Sequence, residues 1–151
     1  MAGDQLTLKL FVVLSRAATA VTAHAEADVR RHGLSLAEFA ALEALYHRGD
    51  LLVGELQRKV LKSSGGMTYV LDRLEDKGLT QRKPCAEDRR AMYASLTAAG
   101  RELMDGIFPA HAAALEAAMS ALSGEEKAAA IELLRRLGKG AASAPLPGAG
   151  E

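Results

Sequence analysis

Ser63 to Thr97, SSGGMTYVLDRLEDKGLTQRKPCAEDRRAMYASLT, is the stretch that leaves the chain least freedom. Met67, Val70, Leu71 and Leu74 recur at the i, i+3, i+4, i+7 spacing that gives a helix one apolar face, while Thr68, Tyr69, Asp72, Arg73 and Asp76 fall on the other. Ser63 or Ser64 can cap the start by accepting from unpartnered backbone N–H groups. Lys77-Gly78 marks the end, a cation at the negative pole and then a residue that accepts positive φ. Gly65 and Gly66 are expected in the first turn, where each costs about 1 kcal/mol relative to Ala. Close approach of that N-terminus to a phosphate accounts for them, since helix N-termini favour anions. Leu79 to Lys83 then reads as a short strand and Pro84 to Ala91 as a charged tip. Met92, Ala94 and Leu96, alternating with Tyr93 and Ser95, suit a second, half-buried strand.

Helix, strand, basic tip and strand in that order make a winged helix. The expected fold is mainly α with a small two- to three-stranded β wing. A helix anchored by one apolar face can enter a major groove while a wing reaches phosphates or an adjacent minor groove. Ser63, Ser64, Gly65, Thr68, Tyr69 and Arg73 are the candidates on the helix, and Lys83, Asp88, Arg89 and Arg90 those of the wing. Arg90 is the sharpest, with Asp88 expected to orient its guanidinium through a charge-assisted bond. Asp-Arg-Arg in isolation is a solvated surface ion pair of little worth. Its place between two strands, directly after such a helix, is what points to nucleic acid.

Net charge is formally zero over 151 residues, which at first argues against a nucleic-acid partner. The distribution reverses that. From Arg58 to Arg90 nine Lys/Arg face five Asp/Glu, a net of +4, so the remainder carries −4. A phosphate backbone feels the local excess within a Debye length, not the total. No uninterrupted apolar run approaches the roughly 18 residues that span a bilayer. The start, MAGDQLTLKLFVVLSRAATA, is broken by Asp4, Lys9 and Arg16 and suits a helix better than a signal peptide, so no membrane partner is expected. A single cysteine excludes an internal disulfide and accords with a reducing, cytoplasmic setting.

Gln5 to Arg31 reads as a long first helix with a stripe through Leu6, Leu10, Phe11, Leu14, Val21 and Asp28/Val29, ended by His32-Gly33. A helix this long has too little of its own chain to cover its first half, which implies a second subunit. Ser35 to Arg48 is a second helix opened by a capping box, Ser35 to Glu38, with Leu36, Phe39, Leu42 and Leu45/Tyr46 inward. Leu51 to Val60 holds a third, with Val53, Leu56 and Val60 inward; with the Ser63 helix it forms a helix-turn-helix pair. Thr97 begins a fifth helix to about Leu122 with a kink expected at Pro109. Ser123 to Glu126, a second capping box, opens a sixth. The expected organisation is residues 1–33 as an N-terminal dimerisation helix, 34–97 as the winged helix-turn-helix, 98–138 as C-terminal dimerisation helices, and 139–151 as a disordered tail. A two-fold homodimer with interleaved termini places two such helices about 34–36 Å apart, one turn of a palindromic duplex.

LDRLEDKGLTQRKPCAEDRRAMYASLTAAG resembles the core of a MarR-type bacterial transcriptional regulator. Asp88 and Arg90 match the Asp-x-Arg of that family's wing, and Leu96 to Gly100 its Leu-Thr-x-x-Gly. The likeness covers about Leu6 to Leu137. RKPCAEDRRAMYASLT and LMDGIFPAH are similar to a branch that includes quinone-responsive repressors. Where the family often has a Ser or Thr helix cap this chain has Leu52, leaving Asp50 to substitute or that start less well capped. The resemblance implies a homodimeric repressor of palindromic double-stranded DNA, released by a small phenolic, aromatic or oxidant signal. It also implies an effector pocket between the dimer helices and the winged helix, for which Arg16, His24, Phe39, Leu42, Tyr46 and Ile107 are candidates, each equally explained as core.

Cys85, in the wing near Lys83, Arg89 and Arg90, is the candidate for a direct redox or electrophile switch, because neighbouring cations make a thiol more nucleophilic. The family's oxidation-sensing members place their cysteine near the first helix, and this chain has none there. An unreactive thiol is the plainer reading. His24, His32, His47 and His111 have no zinc-type spacing, so no metal or other cofactor is expected, although His24 and His111 can approach each other where the first and fifth helices meet. No nucleophile motif, oxyanion loop or glycine-rich phosphate cradle suggests an enzyme. A winged helix reused to bind protein remains the alternative, opposed by the basic excess.

Overall fold

The computed structural model describes residues 2–60 and 66–148. Among them six helices and three strands follow in the order α1 (Ala2–Arg30), α2 (Leu36–Arg48), β1 (Leu51–Leu52), α3 (Val53–Val60), α4 (Met67–Asp76), β2 (Thr80–Pro84), β3 (Met92–Leu96), α5 (Ala98–Ala118) and α6 (Gly124–Ser143). They fall into two compact units, Met1–Glu116 and Ala117–Glu151.

In the first unit α2, α3 and α4 pack round a core to which α1 contributes Val29 and α5 contributes Met104 and Ile107. The predicted stripe of α4 is all buried: Met67, Val70, Leu71 and Leu74. On α2, Phe39, Leu42 and Leu45 are buried, as their spacing requires, and the Ser35–Glu38 capping box is closed in both directions. The three strands form one antiparallel sheet in the order β1-β3-β2, with Arg82 opposite Ala94 and Leu51 opposite Ala94 on the other side. β1 replaces the first two residues of the expected third helix. Leu51 and Leu52 pair with Ala94 and Tyr93, so Leu52 is a strand residue and α3 starts at Val53. Being the middle strand, β3 is covered on both edges, and Ser95 is buried beside Ala94 instead of alternating outward.

Two glycine contacts fix the junction between α4, the wing and α5. Gly78, at φ +72°, closes α4: its N–H donates to the Glu75 carbonyl at 2.8 Å, and the Leu79 N–H donates to the Leu74 carbonyl at 2.9 Å. That is a Schellman ending, with Leu74 and Leu79 both buried as its hydrophobic clasp. Thr97 then caps α5, accepting from the Gly100 N–H at 3.0 Å and donating to the Gly78 carbonyl at 2.6 Å. At Gly100 a Cβ would stand 2.1 Å from the Leu79 carbonyl oxygen. The Leu96-to-Gly100 motif therefore exists because the backbone of α5 lies directly on the turn that ends α4.

Several expectations are corrected. Helix α4 starts at Met67, so Gly66 is its N-cap residue, without a side-chain cap, and not part of its first turn; Ser63, Ser64 and Gly65 lie outside the described residues. Helix α5 ends at Ala118 and not near Leu122; Pro109 lies inside it and costs the Asp105 carbonyl its amide donor. In the second unit the Ser123–Glu126 capping box is present. Helix α6 runs on through Gly138 and Gly140 to Ser143, into the segment expected to be disordered. Lys139, Ala141 and Ala142 are strong helix formers, and the Ser143 hydroxyl donates to the Lys139 carbonyl at 3.1 Å.

Helix α1 also departs from expectation. Arg16 is its only charge between Lys9 and Glu26, so by length and composition alone it is apolar enough to cross a bilayer. A scan for uninterrupted apolar runs misses it because the helix is alanine-rich and broken by single polar residues. Its first half exposes Leu6, Leu8, Leu10, Phe11, Val12 and Val13, with Phe11 at 67%.

A Gly100→Ala protein is expected to lose about 1–3 kcal/mol, the usual cost of forcing an extra methyl into a packed contact. Urea unfolding measures it; a Gly100→Ala protein as stable as the parent would show that the α4–α5 junction yields freely.

Candidate nucleic-acid interface

Helix α4 presents Thr68, Tyr69, Asp72, Arg73 and Asp76 outward, as their spacing predicts, and Tyr69 is 65% exposed. Thr68 and Arg90 line one surface groove together with Arg58, Arg82 and Glu55, which joins α3, α4 and the wing. Lys83, Arg89 and Arg90 are exposed on the wing, as are Arg58 and Lys59 on α3. Among the described residues none of these five takes part in an ion pair within 4.0 Å.

Three other cations of the basic segment are already engaged. Arg82 binds Glu75 with two donors, Nε at 2.9 Å and Nη2 at 3.0 Å, and also pairs with Asp72. Glu75 first and Asp72 second push its pKa above the ordinary arginine value. Arg82 thus bolts β2 to α4. Arg73 Nε donates to Glu38 Oε1 at 2.8 Å, and its guanidinium carbon lies 5.8 Å from the Tyr69 ring centre, within cation–π range. Lys77 Nζ donates to Glu38 Oε2 and to the Gly33 carbonyl, each at 2.8 Å. Arg73 therefore has only part of its guanidinium left for a further partner.

Glu38 is the functional neighbour that sequence reasoning missed. Its place in the capping box was visible, but the same carboxylate, 1% exposed, also receives the two cations of α4. Burial pushes its pKa up; hydrogen bonds from Lys77, the Ser35 N–H and Arg73 outweigh this and hold it below the ordinary carboxylate value.

At the tip, Asp88 does not hold the Arg90 guanidinium. Its Oδ1 accepts from the Arg90 backbone N–H at 2.9 Å, a local turn that points the chain while leaving the guanidinium free. Cys85 is half-buried, and its N–H donates to the Ala91 carbonyl at 3.0 Å, closing the tip. Charge on Cys85 is the first cause, ahead of burial, that raises the pKa of the neighbouring Tyr93 phenol.

The six residues offered as an effector pocket are split between open surface and closed core. Arg16 and His24 are exposed on α1; Phe39, Leu42 and Ile107 are buried. Tyr46 donates its hydroxyl to Asp105 Oδ1 at 2.5 Å, which is the first cause of its raised pKa. His111 meets Asp28, not His24: Nδ1 lies 3.0 Å from Asp28 Oδ2, both residues are buried, and the imidazole packs at a tilt against Phe39, ring centres 4.3 Å apart. Asp28 on an otherwise apolar stripe was the signal for this pair. Among the described residues no three His, Cys, Asp or Glu side chains gather as a metal site.

A helix-turn-helix pair, an antiparallel wing locked to its second helix, and unpaired cations on α3 and the wing define a winged-helix DNA-binding protein. The MarR family model matches residues 34–92, the segment from α2 to the start of β3. The HTH-type transcriptional regulator MhqR of Bacillus subtilis is 45% identical over 132 residues, 87% of this chain and 91% of that protein. A second B. subtilis regulator, YkoM, is 39% identical over 131 residues, 87% and 85% of the two chains. Among solved structures, Sco3205 of Streptomyces coelicolor, a MarR family transcriptional regulator in complex with DNA, superposes with a TM-score of 0.80 at 26% identity, covering 93% of this chain and 88% of that one. The chain belongs to the MarR family of transcriptional regulators.

Glu38 ties stability to acid pH. A carboxylate whose folded pKa lies below its unfolded value of 4.5 contributes stability that is complete above pH 4.5 and is lost as pH falls through the folded pKa. Unfolding free energy is expected to fall across that window and to fall less steeply in a Glu38→Gln protein. Equal acid slopes for the two proteins, measured by denaturant titration at several pH values, would remove Glu38 from that role.

Proposed function

We propose that the chain is a cytoplasmic, homodimeric repressor that binds palindromic DNA through α4 and the wing. The single observation that carries this is the set of cations unpaired among the described residues, Arg58, Lys59, Lys83, Arg89 and Arg90, of which Arg58 and Arg90 line one groove with Thr68 of α4. Thr68 and Tyr69 are the base-reading side chains, and Arg89 and Arg90 neutralise phosphates or enter a minor groove. Arg73 contributes its remaining N–H groups only in the orientation that Glu38 allows. Residues 1–33 and residues 98–138 are each proposed as dimerisation segments. The apolar residues exposed on α1, together with Ile131, Leu133, Leu134 and Leu137 on α6, support a second copy as their cover in preference to a membrane.

No catalytic step is involved. An effector works by binding one dimer geometry more tightly than another and so changing the separation of the two reading helices. A small phenolic or aromatic compound is the proposed signal, on the strength of the sequence likeness. Since Arg16 and His24 lie open on α1, a pocket containing them is completed by the partner subunit.

The test is hydroxyl-radical footprinting of the duplex upstream of the chain's own gene, alongside the mass of the complex. Two protected tracts centred about 34–36 Å apart and two chains per duplex are expected. A single short tract, or one chain per duplex, contradicts the dimer. The alternative is a switch acting through Cys85, which shares the wing with the exposed cations Lys83, Arg89 and Arg90. Release of DNA by a quinone or peroxide should be unchanged in Cys85→Ser if a bound effector is the signal; loss of that release establishes the thiol switch.

A further inference from the structure

We propose that Glu38, buried on α2 at the base of the groove it shares with Tyr69 and Arg73, is a positioning residue that sets the sequence preference of α4 by fixing Arg73, and through it the Tyr69 ring. This rests on α4 being the helix that enters the groove.

Both carboxylate oxygens are committed. Oε1 accepts from Arg73 Nε at 2.8 Å; Oε2 accepts from Lys77 Nζ at 2.8 Å and from the Ser35 N–H at 3.0 Å. The last bond, with its return from the Glu38 N–H to Ser35 Oγ at 3.1 Å, makes the carboxylate part of the helix cap, so it cannot swing to follow the cations. The cations must follow it. A buried carboxylate stripped of its partners is strongly unfavourable, so the group holds together as one unit.

What the unit orients is a side chain with little other restraint. Tyr69 is 65% exposed, and its described ring contact is the Arg73 guanidinium at 5.8 Å. An exposed Tyr that must be ordered on binding loses rotamer freedom at that moment; one already stacked has lost it beforehand. Arg73 spends Nε on Glu38 and keeps its terminal amino groups beside Tyr69, so tyrosine and guanidinium are presented together. Lys77, one helical turn further on, fixes the other end of α4 to Glu38 and to the Gly33 carbonyl. Glu38, 1% exposed, cannot itself touch DNA. Its removal should blur base reading without changing the number of phosphates neutralised.

Glu38→Gln separates the two roles of the residue, because Gln at this position still completes the capping box while the charge is gone. Two measurements on the full-length chain decide the matter. In the first, hydrogen exchange without DNA, amides of residues 70–77 should exchange about tenfold faster in Glu38→Gln, a larger change than that of the α2 amides, which report only the global loss of stability. In the second, anisotropy titrations compare the duplex upstream of the gene with a shuffled duplex of the same composition. Affinity for the first should fall about tenfold, a coupling typical of networked charges, with affinity for the second and the salt dependence unchanged. The loss should vanish in a Tyr69→Ala background, which a merely structural effect would not do. Unchanged exchange in α4 overturns the proposal. So does an equal loss on both duplexes accompanied by an exchange increase as large in α2 as in α4, which marks general destabilisation alone. A parent protein that does not distinguish the two duplexes contradicts the DNA-binding reading instead, while the exchange measurement still decides whether Glu38 holds α4.

Discussion

A helix of ten residues is too short to hold its own conformation in water, since nucleation is costly and only a few backbone bonds repay it. Helix α4 is such a helix, and the side chains that would meet DNA all lie on it or are braced against it. Its conformation is supplied from outside by three contacts. The stripe from Met67 to Leu74 is buried against α2 and α3, Arg82 bolts the wing to its Asp72 and Glu75, and Glu38 takes hold of Arg73 and Lys77. The Schellman turn at Gly78, with Gly100 pressed against the Leu79 carbonyl, then fixes where the wing and α5 leave it. The winged helix-turn-helix is the arrangement that results when one short helix is held on every side but one.

The same economy governs charge. A basic segment in a chain of zero net charge could bind nothing if its cations were all satisfied internally. Here they are divided. Arg73, Lys77 and Arg82, nearest the core, are paired with Glu38, Glu75 and Asp72 and serve to position α4 and β2. Arg58, Lys59, Lys83, Arg89 and Arg90, further out, are left to solvent. In the proposed complex, internal ion pairs keep α4 in register and the free cations supply the sequence-independent attraction to phosphates.

How much of this was legible follows from range along the chain. The stripe of α4, both capping boxes and the Gly78 stop are local patterns of four to seven residues, and each is where the sequence places it. The family motif at Leu96–Gly100 was recognisable as a motif, but its cause, the contact with the Leu79 carbonyl, was not. What escaped was long-range or too short to have a period. Glu38 meets Arg73 across 35 positions and Asp28 meets His111 across 83, and no periodicity encodes which charged residue faces which. Strand β1 has two residues, a single repeat of the strand pattern and too little to show alternation. Asp88 was assigned to a guanidinium when a backbone N–H two residues away was the nearer donor. The six candidates for an effector site, chosen for residue type, are divided between core and surface because type alone does not say which side chains share a cavity.

The central claim is the division of cations into those that hold the protein and those that hold DNA. The most direct test is the slope of log binding constant against log salt concentration on a specific duplex, compared for the parent, Arg90→Ala and Arg82→Ala proteins. Losing Arg90 should weaken binding and reduce the magnitude of the slope by about one, as expected for one phosphate contact. Losing Arg82 should lower thermal stability and affinity but leave the slope as it is. A slope that drops for Arg82→Ala and not for Arg90→Ala would contradict the division and place the DNA on a different face.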